Sequence, residues 1–193
     1  MLDILKNGKG EVLNLLFKDP EKEYYLGEIA NILGKKPGQY QKILNDLVEE
    51  GILADERKGN LRFFKLNKNY VLYEEIKKII SKTIGLEFKL KEVLDEFTNI
   101  KYAFVFGSIA KNKENGQSDI DLMLIGEADQ DNLTRKLSIT EDEIDRAINH
   151  HLFTEKDILE KINEKDFFIT EIFEEPKIAI KGNLNKLARP KTI

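Results

Sequence analysis

The sequence predicts two small domains of different fold class, joined by a helical connector. Residues 11–66 read as three short helices followed by two strands, whereas residues 99–182 alternate strands with helices, which is typical of an α/β domain. Apolar residues at helical spacing fill the segment between them. We therefore expect domains at residues 1–70 and 99–182, a connector at 71–98 and a tail at 183–193.

Composition excludes several function classes. The 193 residues include no cysteine, so disulfide frameworks, thiolate zinc sites and cysteine nucleophiles are ruled out. Histidine occurs only as His150 and His151, so any metal is expected to be a hard cation bound by carboxylates. No apolar run approaches the roughly 20 residues that cross a bilayer, and residues 1–10 do not read as a secretory signal. We expect a cytoplasmic protein.

Charge is unevenly distributed along the chain. The formal net charge is −4, with 12 Lys and Arg against 11 Asp and Glu in residues 1–70 and 19 against 24 in residues 71–193. This balance is not that of a protein that coats nucleic acid without specificity. A local basic patch on the first domain remains compatible with it.

The first domain is predicted element by element from its stop signals. Asp19-Pro20, Gly34 and Gly51 end the three helices, which cover residues 11–17, 26–33 and the segment from Pro37. Two strands, 52–57 and 61–66, flank the turn 58–60. Three helices and a hairpin make a winged helix-turn-helix. The stretch "LGEIANILGKKPGQYQKILNDLVEEGILADERKGNLRFFKLN" resembles the winged-helix family of prokaryotic regulators.

Polar and basic residues lie where such a domain meets DNA. They occupy the start and outer face of the third helix, where they can contact phosphates and base edges, and the wing, which would lie along the backbone. The candidates are Lys35, Lys36, Gln39, Gln41, Lys42, Asn45, Arg57, Lys58 and Arg62. Neighbouring acids dilute their field, so we expect modest, salt-dependent binding. A protein-interaction or dimerisation module without DNA contact is the alternative.

The helices and strands of the connector and the second domain are also predicted from the spacing of apolar residues. The connector is helical with a break at Gly85, and we expect it to pack on one or both domains and to support a homodimer. Strands are predicted at residues 102–107, 120–125, 146–153 and 177–181, and helices at 131–145, 154–162 and 166–174.

The segment "FGSIAKNKENGQSDIDLMLIG" carries the chemistry. Gly107 and Ser108 leave a buried strand at the start of a helix, where free N–H groups and a hydroxyl can hold a phosphate. Asp119 and Asp121 are two residues apart on a strand, so both carboxylates share one face and can bind Mg²⁺. With two ions about 4 Å apart, one activates an attacking hydroxyl and the other stabilises the departing pyrophosphate. The alternative is a solvated edge strand, which the depletion of aspartate in strands disfavours.

This segment is similar to the minimal nucleotidyltransferases of the DNA polymerase β superfamily, with Gly-Ser, a variable loop and Asp-x-Asp. The resemblance implies an α/β domain with a mixed sheet that binds a nucleoside triphosphate with Mg²⁺ or Mn²⁺. It assigns catalysis to Gly107, Ser108, Asp119 and Asp121, and nucleotide binding to Gly107, Ser108 and Ser118. The whole layout resembles prokaryotic proteins that place such a domain behind a DNA-binding one.

One position departs from that pattern. Active members place a third carboxylate on a later strand, and the best match here is Asn149, a weak metal ligand that cannot act as a base. Asp145 is an alternative if the register differs, and His150 or His151 can serve as the base. For the histidine pair, one inward-facing and one outward-facing strand residue is the simpler interpretation.

Three functions fit these observations. The first is a DNA-binding nucleotidyltransferase that transfers a nucleoside monophosphate to an unidentified acceptor. The second is a transcriptional regulator whose second domain has lost catalysis and senses a nucleotide. The third is an antitoxin-like partner of a small helical toxin, since similar minimal nucleotidyltransferases often work with one.

Overall fold

The computed structural model describes residues 3–111 and 118–186. The chain divides into two compact units, residues 1–85 and 86–193. Among the described residues, no helix combines the length and the apolar character that crossing a membrane requires.

The first unit is built from helices around a small antiparallel sheet. After a short 3-10 helix at Asp3–Leu5, its elements are α1 (Lys9–Lys18), β1 (Tyr24–Tyr25), α2 (Leu26–Ile32), α3 (Pro37–Glu49), β2 (Leu53–Lys58), β3 (Leu61–Leu66) and α4 (Tyr73–Thr83). The sheet order is β1-β3-β2, with Tyr24 opposite Phe64 and Leu53 opposite Leu66. The predicted helices and hairpin are thus present, and β1 is an additional strand.

Apolar faces of these elements form one core. Helix α3 buries Tyr40, Leu44 and Leu47, which lie on one side at helical spacing. They pack with residues of α1, α2, β3 and α4: Val12, Leu13, Leu16, Ile29, Ala30, Phe64, Leu66, Ile76 and Ile80. The opposite side of α3 is left for solvent, as the pattern predicts.

The second unit is a mixed four-stranded sheet with helices on both faces. Its elements are α5 (Leu86–Leu94), β4 (Ile100–Phe106), α6 (Gly107–Ala110), β5 (Ile120–Gly126), α7 (Gln130–Ile144), β6 (Ile148–Phe153), α8 (Glu155–Asn163), α9 (Phe167–Glu174) and β7 (Ile178–Lys181). The strand order is β6-β5-β4-β7. Strands β5 and β6 are parallel and joined through α7, while the other two pairs are antiparallel. This confirms the α/β class and the mixed sheet.

The two faces of this sheet have separate cores. Helices α5 and α7 cover the face formed by Ile120, Leu122 and Leu124. Helices α8 and α9 cover the face that carries Met123 and Ile125, together with Phe104 and Phe106 of β4. Alternate residues of β5 therefore face different helices, as a pleated strand requires.

Residues 71–98, which were predicted as one connector, form two helices. Helix α4 belongs to the first unit and helix α5 to the second. Ile76 and Ile80 of α4 are buried in the core of the first unit, whereas Leu90, Val93 and Leu94 of α5 are buried in the second. The break occurs at Gly85. A Cβ there would lie 3.0 Å from the Ser81 Cα and 3.1 Å from the Asn14 Oδ1, so the close packing favours glycine.

The tail predicted at residues 183–193 is described in part. Residues Leu184–Lys186 form one turn of 3-10 helix. Residues 187–193 lie outside the described residues.

Candidate active site

Two strand ends of the mixed sheet bring the predicted carboxylates and Asn149 together. Asp121 is the second residue of β5 and lies opposite Asn149 of the parallel strand β6. Asp119 directly precedes β5, which begins at Ile120, and the Asn149 Nδ2 donates a hydrogen bond to the Asp119 Oδ2 at 3.3 Å. The three side chains therefore share one face of the sheet, as predicted for the aspartates.

The Gly-Ser turn lies directly against Asp121. Phe106, the last residue of β4, pairs with Asp121 across the antiparallel ladder, and α6 begins at the next residue. Gly107 has φ +72°, a left-handed conformation that favours glycine. A Cβ on Gly107 would lie 2.3 Å from the Asp121 Oδ2, so the carboxylate occupies the space that any other residue would fill with its side chain.

Of the remaining residues of the motif, some are described by the structure and some are not. Ser108 is half-buried in the single turn of α6, and Ser118 is half-buried beside Asp119. The loop residues 112–117 of the motif lie outside the described residues. Lys111, at the end of α6, forms an ion pair of 2.6 Å with Glu175, which follows α9.

The two candidates for the third ligand position lie in different elements. Asp145 caps the end of α7 in a left-handed conformation, is exposed, and lies outside β6, which begins at Ile148. The strand position opposite Asp121 is held by Asn149 instead. Within residues 3–111 and 118–186, no three His, Asp or Glu side chains form a group that could hold a metal ion by themselves.

The two histidines lie on opposite faces of β6. His150 lies opposite Leu122, on the α5 and α7 face, and burial lowers its pKa while the nearby Glu141 raises it. His151 follows Asn149 by two residues and so shares the face of the aspartates. Of the two bases considered, only His151 lies on the side of the candidate site.

Eight of the nine predicted DNA-contacting residues are exposed and Arg62 is half-buried, and several of them already have partners. The Lys35 ammonium lies 2.6 Å from the Glu11 carboxylate, which also accepts a hydrogen bond from the Tyr40 hydroxyl at 2.8 Å. Lys35 holds the pKa of Glu11 below its usual value. These contacts tie the start of α3 to α1.

The wing carries a second group of paired charges. The Arg62 guanidinium donates to Asp55 and to Asn45 of α3, both at 2.6 Å. Lys58 and Lys65 both bind the Glu23 carboxylate, and they lower its pKa. The sequence does not reveal the partners of Arg62 and Lys58, which lie 17 and 35 residues away in the chain.

A shallow depression lies between α2 and α3 on the same surface. It is lined by Ala30, Asn31, Gly34, Lys35, Lys36 and Gln39. Three of these residues, Lys35, Lys36 and Gln39, are DNA-contact candidates from the sequence.

One family model matches the second unit. Residues 88–183 match the family described as Polymerase beta, Nucleotidyltransferase, and the match includes Gly107, Ser108, Asp119 and Asp121. The chain therefore contains a nucleotidyltransferase-type domain. No curated protein gives a significant match to the chain.

Three solved structures give weak matches to the chain. A toxin–antitoxin structure with AMP-PNP is 13% identical at a TM-score of 0.38, covering 52% of this chain and 77% of its own. A mutant of the toxin–antitoxin MntA-HpeT is 11% identical at a TM-score of 0.36, covering 52% and 76%. A protein from Sulfolobus solfataricus described as a candidate nucleotidyltransferase is 20% identical at 0.30, covering 49% and 74%. These likenesses are too weak to bear on the partners of this chain.

Proposed function

We propose that the second unit is an active nucleotidyltransferase that transfers a nucleoside monophosphate from a nucleoside triphosphate to an acceptor hydroxyl. The observation that carries this proposal is the contact of the Asp121 carboxylate with the backbone at Gly107. A metal-binding carboxylate and a turn suited to phosphate binding are thereby held side by side, which is what a metal–triphosphate complex needs.

The residues present fit a bound Mg²⁺ ion. Mg²⁺ prefers oxygen ligands and commonly takes one or two carboxylates together with substrate phosphates. Asp119 and Asp121 supply carboxylates. Asn149 lies on the same face and donates its amide nitrogen to Asp119, so its side chain would turn to offer the amide oxygen to a bound ion. When bound, the ion would neutralise phosphate charge and polarise the reacting phosphorus centre.

The chain's own groups position the reactants. The Ser108 hydroxyl and the backbone N–H groups of the Gly107 turn hold the phosphates beside Asp121. The acceptor oxygen attacks the α-phosphorus, the bond to the bridging oxygen of the β-phosphate breaks, and pyrophosphate leaves. The acceptor proton passes to water.

Transfer of label from each of the four α-labelled nucleoside triphosphates to protein, RNA and small-molecule acceptors tests the proposal. We expect transfer that Asp119→Ala and Asp121→Ala abolish and that Asp145→Ala leaves unchanged, because Asp145 lies outside β6. Absence of both Asp-dependent transfer and Mg²⁺-dependent nucleotide binding would contradict it.

Asn149 favours one second candidate, a regulator that binds a nucleotide without turnover. An amide in place of a third carboxylate can coordinate an ion but cannot take a proton. Mg²⁺-dependent nucleotide binding without transfer to any acceptor would select this candidate. Co-purification with a small helical protein encoded by an adjacent gene would instead select the antitoxin-like role.

For the first unit we propose a winged helix that binds DNA through α3 and the β2–β3 hairpin. The element order, the β1-β3-β2 sheet and the exposed outer side of α3 support this. The ion pairs of Lys35, Lys58 and Arg62 reduce the free positive charge of this face, so we expect weak binding. A homodimer, which would present two such faces to DNA, is part of the same proposal.

Salt-dependent DNA binding tests this assignment. The double variant Lys36→Ala/Lys42→Ala is expected to weaken binding and to reduce the slope of log affinity against log salt by about one for each phosphate that is no longer neutralised. The matched control is Lys78→Ala, which removes an exposed lysine of α4. Equal effects of the double variant and the control would contradict the DNA-binding assignment. A sedimentation coefficient that corresponds to one copy of the chain in the DNA complex would contradict the homodimer.

A further inference from the structure

Three aromatic rings cluster on the sheet face that carries the aspartates. The ring centroids of His151 and Phe168 are 5.3 Å apart, those of Phe106 and His151 6.1 Å, and those of Phe106 and Phe168 6.2 Å. The planes are tilted or edge-on to each other by 44° to 80°, as ring quadrupoles favour. The cluster joins β4, β6 and α9.

This cluster begins immediately beside the candidate active site. Phe106 is the cross-strand partner of Asp121, and His151 lies two residues beyond Asn149 on the same face of β6. Consecutive same-face positions of a strand are about 7 Å apart. The rings therefore lie next to Gly107 and Asp121 on the same face of the sheet.

The rings are fixed in place but not fully covered. Phe106 is 7% exposed and supports the cluster from the core, whereas Phe168 is 40% exposed. Phe168 lies in the first turn of α9, where the Asp166 side chain accepts a hydrogen bond from the Ile169 N–H and Ile169 is buried. An apolar ring that served the core alone would be covered as Ile169 and Ile172 are.

We propose that Phe168 and His151 form the stacking surface for the base of the bound nucleoside triphosphate. The inference rests on the proposed function, since it places the base relative to phosphates held at Gly107 and Asp121. Stacking on aromatic side chains accepts every base, because each has a π face, and its strength follows ring size. The site thus binds purine nucleotides more tightly than pyrimidine nucleotides.

Calorimetric binding to the full chain tests the inference with three probes: MgATP, MgCTP and magnesium tripolyphosphate, which has no base. We expect MgATP to bind more tightly than MgCTP. Phe168→Ala and Phe168→Leu should each weaken MgATP binding about tenfold and leave tripolyphosphate binding unchanged, while Phe168→Tyr retains the affinity. The matched control is Phe167→Ala, because its ring is 82% exposed and directly precedes Phe168.

A fluorescence measurement tests the inference independently if Phe168→Ala and Phe168→Leu disturb the packing of α9. The chain has no tryptophan, so Phe168→Trp introduces a single indole at the proposed surface. MgATP should quench its emission and tripolyphosphate should not.

The outcomes separate this inference from the proposed function. If tripolyphosphate binds in an Asp121-dependent manner but Phe168→Leu binds MgATP like the unmodified chain, or MgATP leaves the indole emission unchanged, the stacking surface is wrong and the proposed function stands. If neither MgATP nor tripolyphosphate binds in an Asp121-dependent manner, the proposed function fails and the base site fails with it.

Discussion

At Gly107 a carboxylate approaches the backbone more closely than any other residue type would allow. The turn needs a positive φ, and the Asp121 Oδ2 lies too close to the position of a Cβ for a side chain to fit there. Two separate requirements therefore act on one residue. A positive φ favours glycine at many turns. The need for a residue without a Cβ exists at Gly107 only because β4 ends opposite Asp121.

Replacing Gly107 by alanine separates these two requirements when it is compared with Gly34→Ala. Gly34 has φ +67° and no atom within 4 Å of the position that a Cβ would take, so its replacement costs only the left-handed strain, about 1 kcal/mol. Gly107→Ala should cost more free energy of unfolding and should abolish Mg²⁺-dependent nucleotide binding. Urea titration and calorimetry measure both quantities. Equal destabilisation with binding retained would show that Asp121 does not need this space.

Asn149 is the second residue at which a single change is informative. Asn149→Asp adds a carboxylate opposite Asp121 and replaces the amide that donates to Asp119. Without metal, like charges repel, so the melting temperature should fall; with Mg²⁺ it should recover and exceed that of the unmodified chain at equal Mg²⁺. The matched control, Asn149→Ala, adds no charge, so Mg²⁺ should not raise its melting temperature above that of the unmodified chain at equal Mg²⁺. A melting temperature of Asn149→Asp that is independent of Mg²⁺ would contradict the metal site.

At the scale of the element, successive side chains of strand β6 alternate between the two faces of the sheet, so His150 and His151 lie in different environments. His150 faces the core side and its pKa is lowered by burial, followed by repulsion from His151. The unfolded chain therefore binds a proton at this histidine more readily than the folded chain does. Stability is complete above the unfolded pKa of about 6.5 and decreases as the pH falls through it.

The pH dependence can be assigned with the two histidine variants. Between pH 7.5 and 5.5 the urea midpoint of the second unit should decrease, and His150→Leu should reduce that decrease. His151→Gln should retain most of it, since His151 lies on the other face. An unchanged slope in His150→Leu would show that another group causes the pH dependence.

Elements that follow local rules were predictable from the sequence. The apolar run that follows Asp119 and Asp121 predicted the bounds of β5, and Gly51 predicted the end of α3. Both predictions lie within about two residues of the observed ends. Strand β1 was missed because two residues, Tyr24 and Tyr25, carry no periodic signal, and the strand exists through its pairing with Phe63 and Phe64. The ring cluster was missed for the same physical reason, since Phe106, His151 and Phe168 meet only through tertiary packing.

At the scale of the whole molecule, the break at Gly85 assigns each neighbouring helix to a different hydrophobic core. The core of residues 1–85 and the two cores of residues 86–193 have no residue in common. Proteins open in contiguous cooperative units, so we expect each core to set the stability of its own unit. On this expectation, the proposed DNA-binding and nucleotidyltransferase functions reside on units that unfold separately.

Hydrogen exchange of the full chain tests this division. Leu44→Ala and Leu124→Ala each remove a fully buried leucine, one from each unit, and should each cost about 2–5 kcal/mol. Exchange should accelerate in α1, α3 and β3 for the first variant and in β4, β5 and α7 for the second, with the other unit protected as before. The control Leu159→Ala removes a leucine that is 51% exposed and should change neither pattern. Acceleration in both units from either core variant would show that the two units unfold as one, since disruption of one core would then remove the protection of the other.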